Sequence, residues 1–133
     1  MLKHFSWPVR VYYEDTDSGG VVYYANYLKF FERARTEWLR SMGLNQDKLA
    51  QEQDMIFVVR RVALDFASPA RLDDMLEITV EPLRLAHVYV QLAQEARCGT
   101  RVLARAEIKV ACLDRKNFKP VAMPQSLYES IQQ

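Results

Sequence analysis

The alternation of apolar and polar residues along this chain predicts several β-strands. A two-residue period, typical of half-buried antiparallel strands, runs through residues 6–13, 76–81, 88–93 and 102–113. In the first segment Val9 and Val11 share one face, while Arg10 and Tyr12 share the other. A further strand is expected at 55–66, which is rich in β-branched and aromatic residues. Residues 98–101 then form the hairpin connection between the last two strands.

One segment has the period of a helix instead. Between residues 26 and 42, apolar side chains recur at helical spacing, which gives a long helix one strongly apolar flank; they are Tyr27, Phe30, Phe31, Ala34, Trp38 and Met42. Asn26 is the predicted N-cap, and Gly43 is the predicted stop just past the helix. A shorter helix is expected at 46–53.

A single long amphipathic helix must bury its apolar flank against a large surface, and the predicted sheet is the only candidate. We therefore predict an α+β fold in which a curved antiparallel sheet wraps a long central helix, as one domain over residues 1–133. A single sheet leaves strand edges exposed, and two sheets joined edge to edge would cover them. We therefore expect a homo-oligomer, at least a dimer.

Composition excludes several classes of function. Half of the 133 residues are hydrophobic and the net charge is +1, with the basic residues scattered. A nucleic-acid-binding protein needs a basic face, so we expect no nucleic-acid partner. No apolar run approaches the roughly 20 residues of a membrane span. The first residues, 1–5, lack the apolar core of a signal peptide, so the expected location is the cytoplasm.

The cysteines and histidines do not suggest a metal or redox site. Cys98 and Cys112 fit neither a C-x-x-C motif nor a metal-ligand spacing, and we interpret both as free thiols. His4 and His87 are far apart and lack acidic or cysteine partners at ligand-like spacing. We expect no metal and no cofactor.

Residues 13–27 contain the candidate chemistry. Asp17 lies on a loop between a strand and the long helix, and Gly19 and Gly20 allow unusual backbone angles there. The helix start beyond supplies unpaired N–H groups and a positive dipole end. Such donors polarise a carbonyl that the carboxylate attacks directly or through water. A structural turn capped by Asp15 and Asp17 is the alternative, whereas the pattern of an EF-hand calcium loop is not met.

The segment 7–39, with its Asp-Thr-Asp-x-x-Gly-Val-Val-Tyr core at 15–23, resembles the 4-hydroxybenzoyl-CoA thioesterase family. Within that family it looks most like the YbgC-type acyl-CoA thioesterases associated with the Tol–Pal system. The similarity continues through 57–61 and 68–77, so it covers nearly the whole chain. The resemblance implies a hotdog fold, tetramers built from dimers, and hydrolysis of acyl-CoA to a free acid and coenzyme A. Coenzyme A is then part of the substrate.

The resemblance also implies roles for individual residues. Asp17 would act as nucleophile or general base, and backbone N–H groups near Tyr24 would polarise the thioester carbonyl. Many YbgC-type sequences carry His where this chain has Tyr24, a departure that bears on rate and substrate preference. The predicted catalytic residues are Asp17 and Tyr24, and the predicted substrate-binding residues are Gly20, Val21, Val22, Tyr23, Asn26, Tyr27, Val59, Arg60 and Arg61.

Some alternatives stay open. Arg60 and Arg61 suit bidentate contact with coenzyme A phosphates, although paired arginines on a strand are often surface charge. Glu32 is expected to pair with Arg35 or a strand group rather than to act in catalysis. An acyl-thioester dehydratase would need a His paired with a helix carboxylate, which is not evident. A non-catalytic module that binds acyl thioesters or acyl carrier protein is the main rival, and acyl carrier protein is also a possible partner of the enzyme.

Overall fold

The computed structural model describes residues 4–133; the interpretation of the chain start at Met1, Leu2 and Lys3 lies outside them. Within these residues, five strands and three α-helices form. The strands are β1 (Phe5–Arg10), β2 (Met55–Phe66), β3 (Met75–Leu85), β4 (Tyr89–Cys98) and β5 (Arg101–Asp114), and the helices are α1 (Asn26–Ser41), α2 (Gln46–Gln53) and α3 (Gln125–Gln132).

All the strands named above belong to one antiparallel sheet with the order β1-β3-β4-β5-β2. The first two strands of the chain therefore form the two edges of the sheet. The pairing of β2 with β5 shifts register between Val59 and Arg61, so Arg60 lies at a β-bulge. Gly99 has a positive φ of 61° in the turn that joins β4 to β5, which confirms the predicted hairpin.

Helix α1 packs its apolar flank on the concave face of the sheet. Phe30, Phe31 and Ala34 are fully buried, and strand residues such as Ile78 and Ile108 are buried in the same core. Each large apolar side chain buried in this way contributes roughly 1.5–3 kcal/mol. A long helix wrapped by one antiparallel sheet is the predicted hotdog fold, which is confirmed.

The helix boundaries differ from the prediction in detail. Gly43 adopts a φ of +83° just past α1, as expected for a stop signal. Asn26, however, is the first helical residue and not the N-cap; Ala25 holds that position without a side-chain cap. The Asn26 amide instead donates to the Asp15 carbonyl at 2.9 Å. Its side chain therefore joins the helix to the preceding loop.

Two other elements depart from the sequence prediction. Strand β1 ends at Arg10 rather than at residue 13, because Tyr13–Asp15 form a turn of 3₁₀ helix. Helix α3 was not predicted, and it buries Leu127 and Ile131 against the core. Among residues 4–133, no helix has the length and apolar character needed to cross a bilayer.

Candidate active site

The loop between β1 and α1 is a small, tightly hydrogen-bonded hairpin. The Asp17 N–H donates to the Val21 carbonyl at 2.9 Å, and the Gly20 N–H donates to the Asp17 carbonyl at 3.0 Å. Thr16 and Val22 form an antiparallel bridge just below. Gly20 has a φ of +79°, a conformation in which a side chain would be strained. The paired glycines therefore close the turn that presents Asp17.

The Asp17 carboxylate is exposed at the tip of this hairpin. Its Oδ1 accepts a hydrogen bond from the Gly19 N–H at 2.8 Å. A Cβ at position 19 would lie 3.2 Å from the same oxygen, so Gly19 allows the backbone to approach the carboxylate closely. The second oxygen, Oδ2, accepts no hydrogen bond from the residues that the structure describes. One oxygen is thus held by the loop, and the other faces solvent.

Asp15, the first acid of the pair, has a structural position. It is buried, its Oδ2 accepts from the Tyr12 N–H at 2.8 Å, and its carbonyl accepts from the Tyr23 N–H at 3.0 Å. With the bond from Asn26, these contacts join the loop to both arms of the hairpin and to the helix. Asp15 therefore caps the loop, and the two acids have clearly different surroundings.

The start of α1 offers unpaired donors. Neither the Tyr24 nor the Ala25 N–H donates a hydrogen bond to any residue within 4–133. The partial positive charge of a helix start adds to these two donors. Tyr23 and Tyr24 are exposed, with ring centroids 4.8 Å apart. The hydrogen bond with Tyr24, and then the charge of Tyr24, raise the pKa of Tyr23.

An apolar groove of about 270 Å³ lies beside this helix start. Its lining residues are Val22, Tyr24, Tyr27, Phe66, Ala67, Ser68 and Pro69. The Tyr27 and Phe66 ring centroids are 5.4 Å apart. The buried Tyr27 hydroxyl accepts from the Ala70 N–H at 3.1 Å, and its burial raises the pKa of Tyr27. The Asp17 loop, the helix start and an apolar wall thus occupy one end of the fold.

The wall contributed by residues 66–69 was not assigned a role from the sequence. Phe66 is the last residue of β2 and pairs with Ala104 of β5. Ala104 is fully buried, so the alternation along β5 places Phe66 on the concave face. Ser68 and Pro69 do lie within a segment that carried the family resemblance. The family resemblance at Ser68 and Pro69 and the alternation along β5 are therefore the two sequence features that could have indicated this wall.

The structure brings most predicted site residues together, but not those on β2. Gly20, Val21, Val22, Tyr23, Asn26 and Tyr27 all belong to the Asp17 hairpin or the adjoining helix turn. Arg61 lies five residues before Phe66, or roughly 16 Å along the strand, where it pairs with Lys109. Val59 and Arg60 are further still. Within one chain these three residues do not reach the hairpin, and their role in substrate binding stays a prediction.

Glu32 is not a partner of Arg35, so that part of the prediction was wrong. The Glu32 carboxylate accepts from the Thr36 hydroxyl at 2.7 Å, one turn along α1. Arg35 instead donates to Gln94 of β4 at 2.9 Å. Among the described residues, no group of three His, Cys, Asp or Glu side chains has the arrangement of a metal site. Cys98 and Cys112 are free thiols, as predicted.

Comparison with known proteins supports the sequence resemblance. A family model described as "Thioesterase-like superfamily" matches residues 11–131. The acyl-CoA thioesterase YbgC of Haemophilus influenzae is 48% identical over 92% of this chain and 90% of its own length. A probable thioesterase from Bartonella henselae has a structure similar to this chain, with a TM-score of 0.87 and 36% identity over 92% of this chain and 100% of that one. A 1,4-dihydroxy-2-naphthoyl-CoA thioesterase from Synechocystis has a TM-score of 0.91 and 25% identity, over 98% and 96% of the two chains.

Proposed function

This chain belongs to the thioesterase-like superfamily, and we propose that it hydrolyses acyl-CoA thioesters to a free acid and coenzyme A. Its relative in Haemophilus influenzae carries the name of an acyl-CoA thioesterase. The observation that supports the proposal most directly is the arrangement of the Asp17 hairpin. An exposed carboxylate, the unbonded N–H groups of the helix start and an apolar groove lie at the same end of the fold.

In the proposed reaction the acyl group lies in the groove beside Tyr24 and Phe66. The thioester carbonyl oxygen accepts a hydrogen bond from the N–H of Tyr24 or Ala25, and the helix dipole adds to this stabilisation. As the carbonyl carbon becomes tetrahedral, negative charge develops on that oxygen, and oriented donors stabilise it. A backbone N–H is present whatever the side chain, so this role does not depend on the tyrosine itself.

Asp17 can act in one of two ways. As a general base it removes a proton from water, the hydroxide oxygen bonds to the carbonyl carbon, and the C–S bond breaks to release the coenzyme A thiolate. As a nucleophile it bonds to the carbonyl carbon and displaces the thiolate, which leaves a mixed anhydride that water then hydrolyses. Neither route requires a metal or redox cofactor.

A single turnover in ¹⁸O-labelled water, with enzyme in excess over acyl-CoA, tests for the nucleophilic route. Hydrolysis of a mixed anhydride at the aspartyl carbonyl places ¹⁸O in the peptide that contains Asp17. Direct attack by water places ¹⁸O only in the released acid, as does hydrolysis of the anhydride at its acyl carbonyl, so label in the Asp17 peptide is the result that identifies the nucleophilic route. Mass spectrometry of the acid and of the digested protein reads both positions in the same sample.

Thiol release from a panel of short, long and aromatic acyl-CoAs tests the activity itself. The proposal predicts steady-state turnover with at least one member, and the preferred acyl group identifies the substrate class. Acyl-CoA binding without thiol release from any member would favour the alternative, a module that binds acyl thioesters or acyl carrier protein. A parallel panel of acyl carrier protein thioesters shows which carrier is used.

For assembly we propose a dimer formed by the edges of two β2 strands. Strand β2 is a 12-residue edge with an exposed centre, and its Val59, Val62 and Phe66 side chains are each 40% exposed or more. An apolar edge of this length is a site for pairing with a second copy. A role for Arg60 and Arg61 in contact with coenzyme A phosphates then depends on the register of this pairing. Two such dimers would form the tetramer that the resemblance implies.

The cellular setting is also proposed. Cys98 and Cys112 are free thiols, which suits a reducing compartment such as the cytoplasm. An association with the Tol–Pal system rests on the resemblance to YbgC-type enzymes. Fractionation of cells that express a tagged full chain tests the location.

A further inference from the structure

The proposed hydrolysis requires two groups at a fixed separation, and these groups lie on different elements. The Asp17 carboxylate lies at the tip of the hairpin formed by residues 15–23, whereas the Tyr24 and Ala25 N–H groups belong to the start of α1. A misplacement of about 1 Å between reacting groups can slow a reaction roughly a hundredfold. The tip is exposed, so the position of Asp17 relative to the donors depends on contacts at the base of the hairpin.

The Asp15 carbonyl is the contact point between the hairpin and the helix start. It accepts from the Asn26 side-chain amide at 2.9 Å and from the Tyr23 N–H at 3.0 Å, and these two bonds use both lone pairs of the oxygen. Asp15 is two residues before Asp17, and Tyr23 directly precedes Tyr24. One oxygen atom therefore joins the chain next to the acid to the chain next to the donors.

Asn26 contributes the side-chain half of this junction. Among residues 4–133, no other side chain of the first turn of α1, residues 26–29, bonds to the hairpin; the Tyr27 hydroxyl bonds to Ala70. The Asn26 backbone N–H also donates to the Tyr23 carbonyl, at 2.8 Å. Because the Asp15 carbonyl can only accept, the amide nitrogen of Asn26 and not its oxygen must face it. Asn26 is therefore held against the hairpin by both its backbone and its side chain.

Neither helix stability nor the groove accounts for an asparagine at this position. Asparagine has a weaker intrinsic preference for helices than alanine or leucine. Asn26 does not cap α1, because Ala25 holds the N-cap position. Although Asn26 was predicted to bind substrate, it is not among the residues that line the groove beside Tyr24. Within residues 4–133, the bond to Asp15 is the one hydrogen bond that the Asn26 side chain makes.

We infer that Asn26 is a positioning residue, which fixes the separation between the Asp17 carboxylate and the N–H donors of the helix start. Its amide holds the Asp15 carbonyl, and the bridge between Thr16 and Val22 carries that position along the hairpin to Asp17. The substrate does not contact Asn26. The inference rests on the proposed hydrolysis, and it separates rate from affinity: loss of the amide slows the reaction without weakening the binding of acyl-CoA.

Asn26→Leu tests this role, because leucine has nearly the same shape and no hydrogen-bonding side-chain atom. With the preferred acyl-CoA, kcat should fall about ten- to hundredfold, while the Kd of a non-hydrolysable acyl-CoA analogue, measured by calorimetry, should change less than about twofold. Asn45→Ala is the matched control for lost stability. Asn45 caps α2, outside the site, by accepting from the Asp47 and Lys48 N–H groups at 2.9 and 3.1 Å. Its loss should lower Tm and leave kcat at the wild-type value.

Hydrogen–deuterium exchange, followed by mass spectrometry, tests the position of the hairpin without turnover. In Asn26→Leu, amide exchange should accelerate in residues 15–23 and stay unchanged in β4 and β5. Asn45→Ala should leave exchange in the hairpin at the wild-type rate. Asn26→Ala repeats each measurement if Asn26→Leu folds poorly.

Three results would overturn the positioning role of Asn26. They are a kcat equal to that of Asn45→Ala, a Kd raised by as much as kcat/KM falls, which marks a substrate contact, and hairpin exchange as slow as in the wild type. The exchange result decides the matter even if the wild-type protein releases no thiol. Faster hairpin exchange in Asn26→Leu without wild-type turnover would count against the proposed hydrolysis while supporting the link that Asn26 makes.

Discussion

Tyr27→Phe tests how the helix start is joined to the wall of the groove. Tyr27 is only 2% exposed, and its hydroxyl accepts from the N–H of Ala70, which is fully buried. The substitution keeps the ring and its packing against Phe66 but leaves that N–H without its acceptor. An unsatisfied buried donor costs about 1–3 kcal/mol. We therefore expect the free energy of unfolding to fall by this amount.

Urea unfolding followed by circular dichroism measures the change. For a chain of 133 residues, each kcal/mol also lowers Tm by roughly 3–5 °C. Tyr13→Phe is the control, since Tyr13 is 82% exposed and its substitution should change stability by no more than about 0.5 kcal/mol. If Tyr27→Phe were as stable as the control, the bond to Ala70 would not join the helix to the wall as described.

Two further predictions concern titratable groups. Burial raises the pKa of Cys112 to about 12, so at pH 8 a thiol-specific reagent should modify Cys98 alone in the native chain and both cysteines after unfolding; rapid reaction of two thiols per native chain would contradict this. Burial raises the pKa of Glu95, but hydrogen bonds from Arg97 and Arg105 outweigh it and hold the pKa below its ordinary value of 4.5. The stability that Glu95 contributes is therefore present above about pH 4.5 and lost as pH falls further. Glu95→Gln should destabilise the protein at pH 7 and much less at pH 3, in urea unfolding at both pH values, whereas an equal effect at both would contradict the assignment.

Much of the fold could be predicted because its signals are local and strongly periodic. The apolar flank of α1 and the alternation along β5 each depend on residues close together in the chain. Helix α3 was missed because Leu127 and Ile131 are its only buried residues, and two positions in eight do not establish a period. Asn26 was predicted as a cap because caps favour asparagine, but a long-range bond to Asp15 uses its amide instead.

The site was predictable where its residues are neighbours in the chain. The Asp17 hairpin closes through contacts within residues 15–23, and glycine and aspartate specify such turns. The groove wall around Phe66 depends on a contact with Tyr27, some 40 residues away, which no local pattern reports. The hydrogen bond from Arg35 of α1 to Gln94 of β4 is similar, since it joins residues 59 positions apart. Contacts between side chains that the sheet brings together from distant parts of the sequence can be identified only from the structure.

The rate of thiol release by Asp17→Asn tests the central claim most directly. Asparagine keeps the size of the side chain and can accept the bond from Gly19, but it is neither a base nor an effective nucleophile. With the preferred acyl-CoA, kcat should fall by at least about 10²–10⁴-fold, while acyl-CoA binding and Tm stay close to wild type. Glu14→Gln, in the same exposed loop, should keep full activity. If Asp17→Asn released thiol at the wild-type rate, the account would be contradicted, because a group other than Asp17 would have to be catalytic.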